Sequence, residues 1–489
     1  MEHDKNIGLR VAVVGGGIAG LAAAHRLGEL EPSCQIRLFE AGPRLGGSLQ
    51  TVRRDGFLIE CGADSFITNL PAALDLCRRV GIADQLISTN HAGRRAFVVR
   101  RGRLLAVPEG FALMAPARIW PVLTTPILSP AGKMRLAWEY FVPRRRADGD
   151  ESLGSFVRRR LGREAFERLV QPLVAGIYTA DPEQLSLAAT LPRFIDMERT
   201  HGSLIRGALR QRAKGDAGVS HASGARYSLF VTPRDGLSSL VDAIKARLPT
   251  QTVLLNTKVS TFERSDTGWR LTFRASGIQA DSDVRSNQME FDAVLLATAA
   301  PAAGRLLAAV DPQLSDDLSA IPYASTAVLS MAYDRHQIAH PLDGFGFVVP
   351  AIEGRRILSA SFSSQKFAGR APADQVLLRI FIGGACQADL LERSDEELQQ
   401  IATEEIAELL GARGSPKLAI VARWSQSMPQ YHLGHLQRVA RIESRVAEIH
   451  GLALAGNAFR GVGIPQVVAS GEAAAERVLE SLRRAPAEI

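Results

Sequence analysis

Val11-Ala12-Val13-Val14-Gly15-Gly16-Gly17-Ile18-Ala19-Gly20-Leu21 is the stretch from which the fold is read. The apolar run Val11–Val14 suits a strand buried on both faces of a parallel sheet. Gly15, Gly17 and Gly20 then follow the G-x-G-x-x-G spacing. The first permits a tight turn, the second lets backbone approach a pyrophosphate, and the third allows close helix–strand packing. A helix beginning near Gly17 aims free N–H groups at phosphates, with Gly16, Ile18 and Ala19 around them. A second apolar stretch, Ile36–Phe39, ends at Glu40. That carboxylate lies about 20 residues past Gly20, the offset at which it accepts hydrogen bonds from an adenosine ribose. Ala41 and the run Arg44-Leu45-Gly46-Gly47-Ser48 follow at once. Their glycines let a second backbone segment pass close to the same diphosphate, and Arg44 adds positive charge.

The far end of the chain carries Leu452-Ala453-Leu454-Ala455-Gly456-Asn457-Ala458-Phe459-Arg460-Gly461-Val462-Gly463-Ile464-Pro465. A glycine-rich turn alone leaves the cofactor open. Paired with this segment it favours FAD over NAD, and oxidation of an organic substrate over nucleotide binding alone. Gly456 and Asn457 then approach the flavin. The N–H groups of Val462, Gly463 and Ile464 face its O2 side, where donors stabilise negative charge. Gly62-Ala63-Asp64-Ser65, Val259 and Thr298 complete the expected cofactor contacts. Trp424 and Tyr431 pack either beside the isoalloxazine or in the core.

At 489 residues the chain exceeds one core, so two or three domains are expected. Hydrophobic content of 46% and charged content of 22% describe an ordinary globular protein. No uninterrupted apolar stretch reaches the ~18 residues of a membrane-crossing helix. The stretch Met1-Glu2-His3-Asp4-Lys5 leaves no room for a signal peptide, so a cytoplasmic protein is expected. Cys34, Cys61, Cys77 and Cys386 are scattered and read as reduced thiols. The net charge of +7 is too diffuse for nucleic acid. It suits an acidic small molecule or an anionic membrane surface. Arg144-Arg145-Arg146 and Arg158-Arg159-Arg160 read as solvated faces. The histidines show no metal-ligand spacing; His432 and His435 are expected to pack or hydrogen-bond.

The expected fold is α/β. A Rossmann-like FAD-binding domain is built from discontinuous segments (1–90, 221–305 and 420–489), beside an α+β substrate domain (91–109 and 306–419) and a helical domain (110–215). Ser152–Leu161 fits a helix with a serine N-cap and a stop at Gly162. Lys214–Arg226 reads as a loop. Val253–Val259 and Asp292–Ala299 read as strands, as do Thr326–Tyr333, Gly346–Val349, Ile357–Ser361 and Val376–Ile382. Helices are expected over Asp395–Leu410 and Gly471–Leu482. Between Pro108 and Pro126, the apolar cluster of Phe111, Leu113, Met114, Ile119, Trp120, Val122 and Leu123 suits either a membrane contact or the roof of a substrate tunnel.

One block narrows the function. It comprises Glu151-Ser152-Leu153-Gly154-Ser155-Phe156-Val157, Arg160-Leu161-Gly162, Gln171-Pro172-Leu173-Val174-Ala175-Gly176-Ile177-Tyr178, and Asp181, Leu185 and Ser186. It closely resembles the protoporphyrinogen oxidase family, which includes the bacterial coproporphyrinogen III oxidases, within the flavin amine oxidase superfamily. Arg423-Trp424, Pro429-Gln430-Tyr431 and Gly434-His435 also match. The resemblance implies noncovalent FAD and a porphyrinogen substrate, protoporphyrinogen IX or coproporphyrinogen III. It implies six-electron oxidation to the porphyrin in heme biosynthesis by hydride transfer to flavin N5, with dioxygen as acceptor and hydrogen peroxide as by-product. It further implies a helical domain on the inner face of the cytoplasmic membrane; a homodimer is the default assembly. Positioning and exclusion of water are then the protein's task, and no catalytic side chain is required.

In that family an Arg just before an aromatic residue pairs with a substrate propionate. Here Ala96 precedes Phe97, and Arg95, one position off, takes the role only if the strand is bulged. Gly176 falls on the glycine that lets the macrocycle approach the backbone. Gly346, Phe347, Val349 and Phe362 read as apolar walls of the substrate pocket or as sheet interior. The alternative enzyme is a flavin amine oxidase or a carotenoid desaturase, although residues 420–489 hold no Cys for a covalent flavin. A noncatalytic FAD-binding protein is the reading from another class.

Overall fold

The computed structural model describes residues 8–90, 95–116, 118–146, 149–213, 229–266, 268–275 and 287–484. Gly93, Arg94, the 214–226 stretch and the turn over 276–286 lie outside the described residues.

Five short strands form a parallel sheet in the spatial order Val253–Leu254, Gln35–Phe39, Arg10–Val14, Ala293–Leu296 and Leu452–Leu454. They come from four distant parts of the chain. All four residues of Val11–Val14 are buried, as a strand sandwiched on both faces requires. One face packs on the helices Ile18–Leu30, Ala72–Val80, Ser238–Arg247 and Ile464–Arg483, through Leu21, Leu27, Leu76, Leu240 and Val468. The other face is covered by an antiparallel meander of Thr257–Ser265, Gly268–Ala275 and Asn287–Phe291, whose Trp269 and Phe262 share a core with Leu307 of the helix Ala300–Leu307.

A seven-stranded sheet forms the second layer system. Its spatial order is Leu418–Pro429, Tyr323–Asp334, Gln375–Gly383, Ser359–Phe362, Gly346–Val348, Phe97–Arg100 and Arg103–Ala106. Its inner face packs on the helix Asp395–Leu410, which opens with a Ser394–Glu397 capping box. Short helices between Ile119 and Ala213 make a third body around Leu153, Phe156, Leu169 and Phe194. Ser152 caps the Leu153–Leu161 helix by accepting the Ser155 N–H at 3.2 Å, and Gly162 ends it.

Several sequence expectations change. The last helix begins at Ile464, not Gly471. Pro465 sits in its first turn, where no N–H is needed. Gly471 is a packing residue: a Cβ there would lie 2.2 Å from the Ala19 carbonyl oxygen of the first helix. The single strand expected over Val253–Val259 is two. The backbone turns at Asn256, whose φ is +51°, so Val253–Leu254 joins the parallel sheet and Thr257 starts the meander. The Arg158–Arg160 triplet is no solvated face, because Arg160 is 0% exposed. The apolar cluster also divides. Phe111, Leu113, Met114 and Val122 are buried, whereas Trp120 and Leu123 are exposed. The four cysteines are free; Cys34, Cys61 and Cys77 are buried and Cys386 is exposed.

Candidate active site

The first helix starts at Gly17, and no side chain among the described residues caps it. Its first-turn N–H groups are therefore available to an anion. Gly15 makes the preceding turn at φ +111°, where a Cβ would come within 2.6 Å of the Ala297 carbonyl. A Cβ on Gly20 would meet the Gly15 carbonyl at 1.9 Å, so strand and helix touch backbone to backbone. Gly17 instead faces open space, with nothing within 4 Å of its ideal Cβ.

The Arg44–Ser48 loop lies against this turn. Gly46 N–H donates to the Gly16 carbonyl at 2.8 Å, and Gly47 approaches the Gly17 Cα. Arg44 shapes the loop from within, donating to the carbonyls of Leu45 (3.1 Å), Leu49 (3.2 Å) and Gly47 (2.6 Å). Its guanidinium is thus spent on loop geometry. Glu40 accepts the N–H groups of Gly16 at 2.8 Å and Gly42 at 2.7 Å, and keeps lone pairs for a further donor. Ala41 follows it in the bend. Val259 is buried in the adjoining strand, whose Thr257 N–H donates to the Glu40 carbonyl.

Beyond the cradle, the segments from both ends of the chain meet. Thr298 lies between Gly15 and Gly456. A Cβ on Gly62 would lie 2.0 Å from the Ser48 carbonyl and 3.3 Å from the Trp424 ring, and Trp424 Nε1 donates to the Cys61 carbonyl at 2.8 Å. Ala63 packs toward the parallel sheet's core, and Ser65 donates to Asp64 at 2.8 Å. Gly456 N–H donates to Ser470 Oγ at 3.1 Å, and the Asn457 amide reaches the Ser427 carbonyl at 3.4 Å. Gly463 is the N-cap of the last helix and again has no side-chain cap among the described residues. Gly471 of this helix packs on Ala19 and Ala23 of the first helix, so the two helices, each without a side-chain cap at its N-terminus among the described residues, are direct neighbours. Val462 packs on the helical body.

Tyr431 was not singled out for this role by sequence. Its hydroxyl donates to the Asn457 carbonyl at 2.5 Å and accepts the Gly461 N–H at 2.8 Å, closing the 457–461 loop. Its ring stacks on His435 at 4.1 Å, and His435 Nε2 lies 2.9 Å from the Phe459 carbonyl. Burial lowers the His435 pKa, so the ring is neutral and Nε2–H is the donor. Lys366 and Arg379 also reach the site, both paired with Asp64. No local pattern announced them.

The residues assigned to the substrate distribute differently. Phe347, Val349 and Phe362 lie in the sheet interior with Ile380, Leu398 and Ile406. Side chains alternate across a strand, so it is Val348 that faces the other way. Val348 packs on the helical body, 3.4 Å from where a Cβ on Gly176 would stand. Ser361, paired with Gly346 and Arg379, shares the Val348 face. Arg95 sits on Phe97's side of the sheet, its guanidinium 5.8 Å from that ring and ion-paired to Asp343. Phe97 points into the interior, so Arg95 is turned away from Gly176. A one-residue phase difference puts Phe347, Val349 and Phe362 on the opposite face of the sheet from Val348 and Ser361.

A diphosphate cradle at one helix N-terminus, a second uncapped helix N-terminus and an aromatic beside the loop between them define a flavin-binding oxidoreductase. The chain belongs to the flavin containing amine oxidoreductase family, whose pattern matches residues 18–479. Within that family it is similar to the coproporphyrinogen III oxidase of Bacillus subtilis (strain 168), 32% identical with 96% of this chain and 98% of the relative covered. The coproporphyrinogen III oxidase of Propionibacterium freudenreichii subsp. freudenreichii is 36% identical over 96% of this chain and 91% of its own. A solved structure from Exiguobacterium sp. 255-15, provisionally assigned to protoporphyrinogen oxidase, superposes with a TM-score of 0.83 at 32% identity, covering 97% of this chain and 99% of that one.

Proposed function

We propose that this chain oxidises a porphyrinogen, coproporphyrinogen III or protoporphyrinogen IX, to the porphyrin in heme biosynthesis, with noncovalent FAD. The carrying observation is how the distinctive 151–186 block meets the flavin loop. Ser186 N–H donates to the Tyr431 carbonyl at 2.8 Å, Leu185 bridges His432, and Asp150 accepts the Gly434 N–H at 3.1 Å. The block that resembles the porphyrinogen oxidases thus rests on residues 431–434, and the Tyr431 hydroxyl in turn holds the 457–461 loop to which we assign the flavin. The names carried by the relatives agree.

When bound, FAD supplies the hydride acceptor, and dioxygen restores it with hydrogen peroxide as by-product. The first-helix N–H groups hold the diphosphate, and Glu40 takes the ribose hydroxyls. The 456–464 loop positions the ring, and the uncapped N–H groups at Gly463 and Ile464 favour negative charge beside it. Gly176 and Val348 form the apolar wall that seats the macrocycle and excludes water. Pyrrole activation of the methylene bridges makes a side-chain base unnecessary. Among the described residues no group of His, Cys, Asp and Glu has the geometry to hold a metal ion.

A peripheral membrane contact belongs to the same proposal. Trp120, Leu123, Met134, Trp138 and Phe141 are exposed together with Arg118, Arg144 and Arg146, and Lys133 beside them is half-buried. Apolar and basic side chains interleaved on one body suit an anionic cytoplasmic membrane surface. No helix of the described residues is long and apolar enough to cross a membrane.

The test adds anaerobically prepared coproporphyrinogen III or protoporphyrinogen IX to the FAD-loaded protein in air. Porphyrin fluorescence and peroxide should rise together. Flavin-loaded protein that forms porphyrin from neither compound overturns the proposal and favours the noncatalytic reading.

A further inference from the structure

Asp64, Lys366 and Arg379 form an ionic cluster buried where the seven-stranded sheet meets the loop after Gly62. The Lys366 ammonium lies 2.9 and 3.0 Å from the two Asp64 carboxylate oxygens, and an Arg379 guanidinium nitrogen lies 3.2 Å from one of them. Arg379 also donates to the Gly62 carbonyl. The side chains are only 19% (Asp64), 13% (Lys366) and 3% (Arg379) exposed. Burial opposes ionisation of Asp64, yet the two cations outweigh it and hold the carboxyl well below the usual range. Two cations then face one anion. Arg379 Nε is buried and has no hydrogen-bond partner among the described residues.

The next layer does not cancel this excess. Glu60 is buried on the Leu237 N–H and the Thr51 hydroxyl, and Arg370 donates to the Pro233 and Arg234 carbonyls. Glu60 and Arg370 offset each other when Glu60 is ionised, and leave further positive charge when it is not. Burying an uncompensated charge is unfavourable, and apolar replacements of buried ion pairs are often neutral or stabilising. A net positive cluster kept inside a protein therefore points to a task, and perturbed groups of this kind gather at functional sites. Its position names the task. Gly62, whose carbonyl Arg379 holds, is wedged between the Ser48 carbonyl of the diphosphate cradle and Trp424.

We propose that Asp64, Lys366 and Arg379 act as an electrostatic positioning site that sets the reduction potential of the flavin, by presenting net positive charge to the ring as it gains electrons. This rests on the FAD reading above. Preorganised charge aimed at developing negative charge is how proteins tune such groups.

The test measures the midpoint potential of FAD-loaded variants by anaerobic dye equilibration, with FAD affinity measured alongside by fluorescence. Lys366→Met removes a cation and should disfavour reduction about tenfold, a fall of roughly 30 mV for a two-electron couple. Asp64→Asn removes the anion and should move the potential upward by a similar amount. Lys366→Arg should restore the wild-type value. Shifts of opposite sign are what a merely structural role does not produce. Potentials that move together, or by less than twofold in the equilibrium, overturn the inference while wild-type FAD loading and porphyrin formation leave the functional reading standing. If Asp64→Asn fails to fold, the Lys366→Met and Lys366→Arg pair decides: a fall in the first with none in the second supports the inference, and equal potentials overturn it. Wild-type protein that takes up no FAD overturns both.

Discussion

At the residue scale, the site is a set of backbone surfaces held by a few side chains. Tyr431 is the clearest case, because one hydroxyl satisfies both the Asn457 carbonyl and the Gly461 N–H. Tyr431→Phe keeps the stack on His435 and leaves both backbone groups unpaired. We expect a loss of about 1–3 kcal/mol in holding the 457–461 loop, the range for buried groups left unsatisfied. Flavin release on dilution, followed by recovery of flavin fluorescence, should be at least several-fold faster. The glycines were legible because a missing side chain leaves a spacing pattern in the sequence. Lys366 and Arg379 were not, since an ion pair spanning some 300 residues leaves none. Phe347 and Val349 lie in the sheet interior, the second of the two readings their sequence allowed. Val348 between them is also apolar, so alternation could not say which face meets the helical body.

At the element scale, the helical body shows how a buried charge can fix an exposed surface. Glu139 is 0% exposed and accepts from Arg160 Nε (2.8 Å), the Ser203 hydroxyl (2.6 Å) and the Leu204 N–H (2.8 Å). It anchors the short helix Trp138–Phe141, from which Trp138 and Phe141 project outward at 62% and 65% exposure. Glu139→Ala leaves Arg160 unpaired at that contact and should lower stability by about 3–5 kcal/mol, read as a drop in Tm. The paired variant Glu139→Met/Arg160→Met should recover much of that loss. The surface itself has a separate test. Wild-type protein should float with liposomes rich in anionic lipid, less so in high salt. Trp120→Ser/Trp138→Ser/Phe141→Ser should stay at the bottom of the gradient with its Tm unchanged. Flotation equal in both proteins removes the membrane contact from the proposal.

At the scale of the whole molecule, burial makes stability respond to pH. Burial pushes the Glu60 carboxyl up to about 7, against the Leu237 N–H, the Thr51 hydroxyl and the charges of Arg379 and Arg370. The folded chain therefore binds this proton more tightly than the unfolded chain, whose value is near 4.5. Its contribution is fully present below about pH 4.5 and is lost as pH rises through 7, an effect of roughly 3 kcal/mol. Glu60→Gln should flatten that decline, so the Tm difference between variant and wild type should favour the variant increasingly from pH 5 to pH 8. A difference constant across that range rules out Glu60 as the titrating group. The sequence by itself determined the phosphate-binding turn, the buried strands and the kinship of the 151–186 block. These are local signals, carried by glycine spacing and uninterrupted apolar runs within single segments. Only the tertiary structure decided that Thr298 lies between Gly15 and Gly456 while Gly62 is wedged between Ser48 and Trp424, which face of the second sheet meets the helical body, and where net positive charge lies buried. Each of those depends on contacts between residues far apart in the chain. Packing, register and desolvation set such contacts together, and no single segment encodes them.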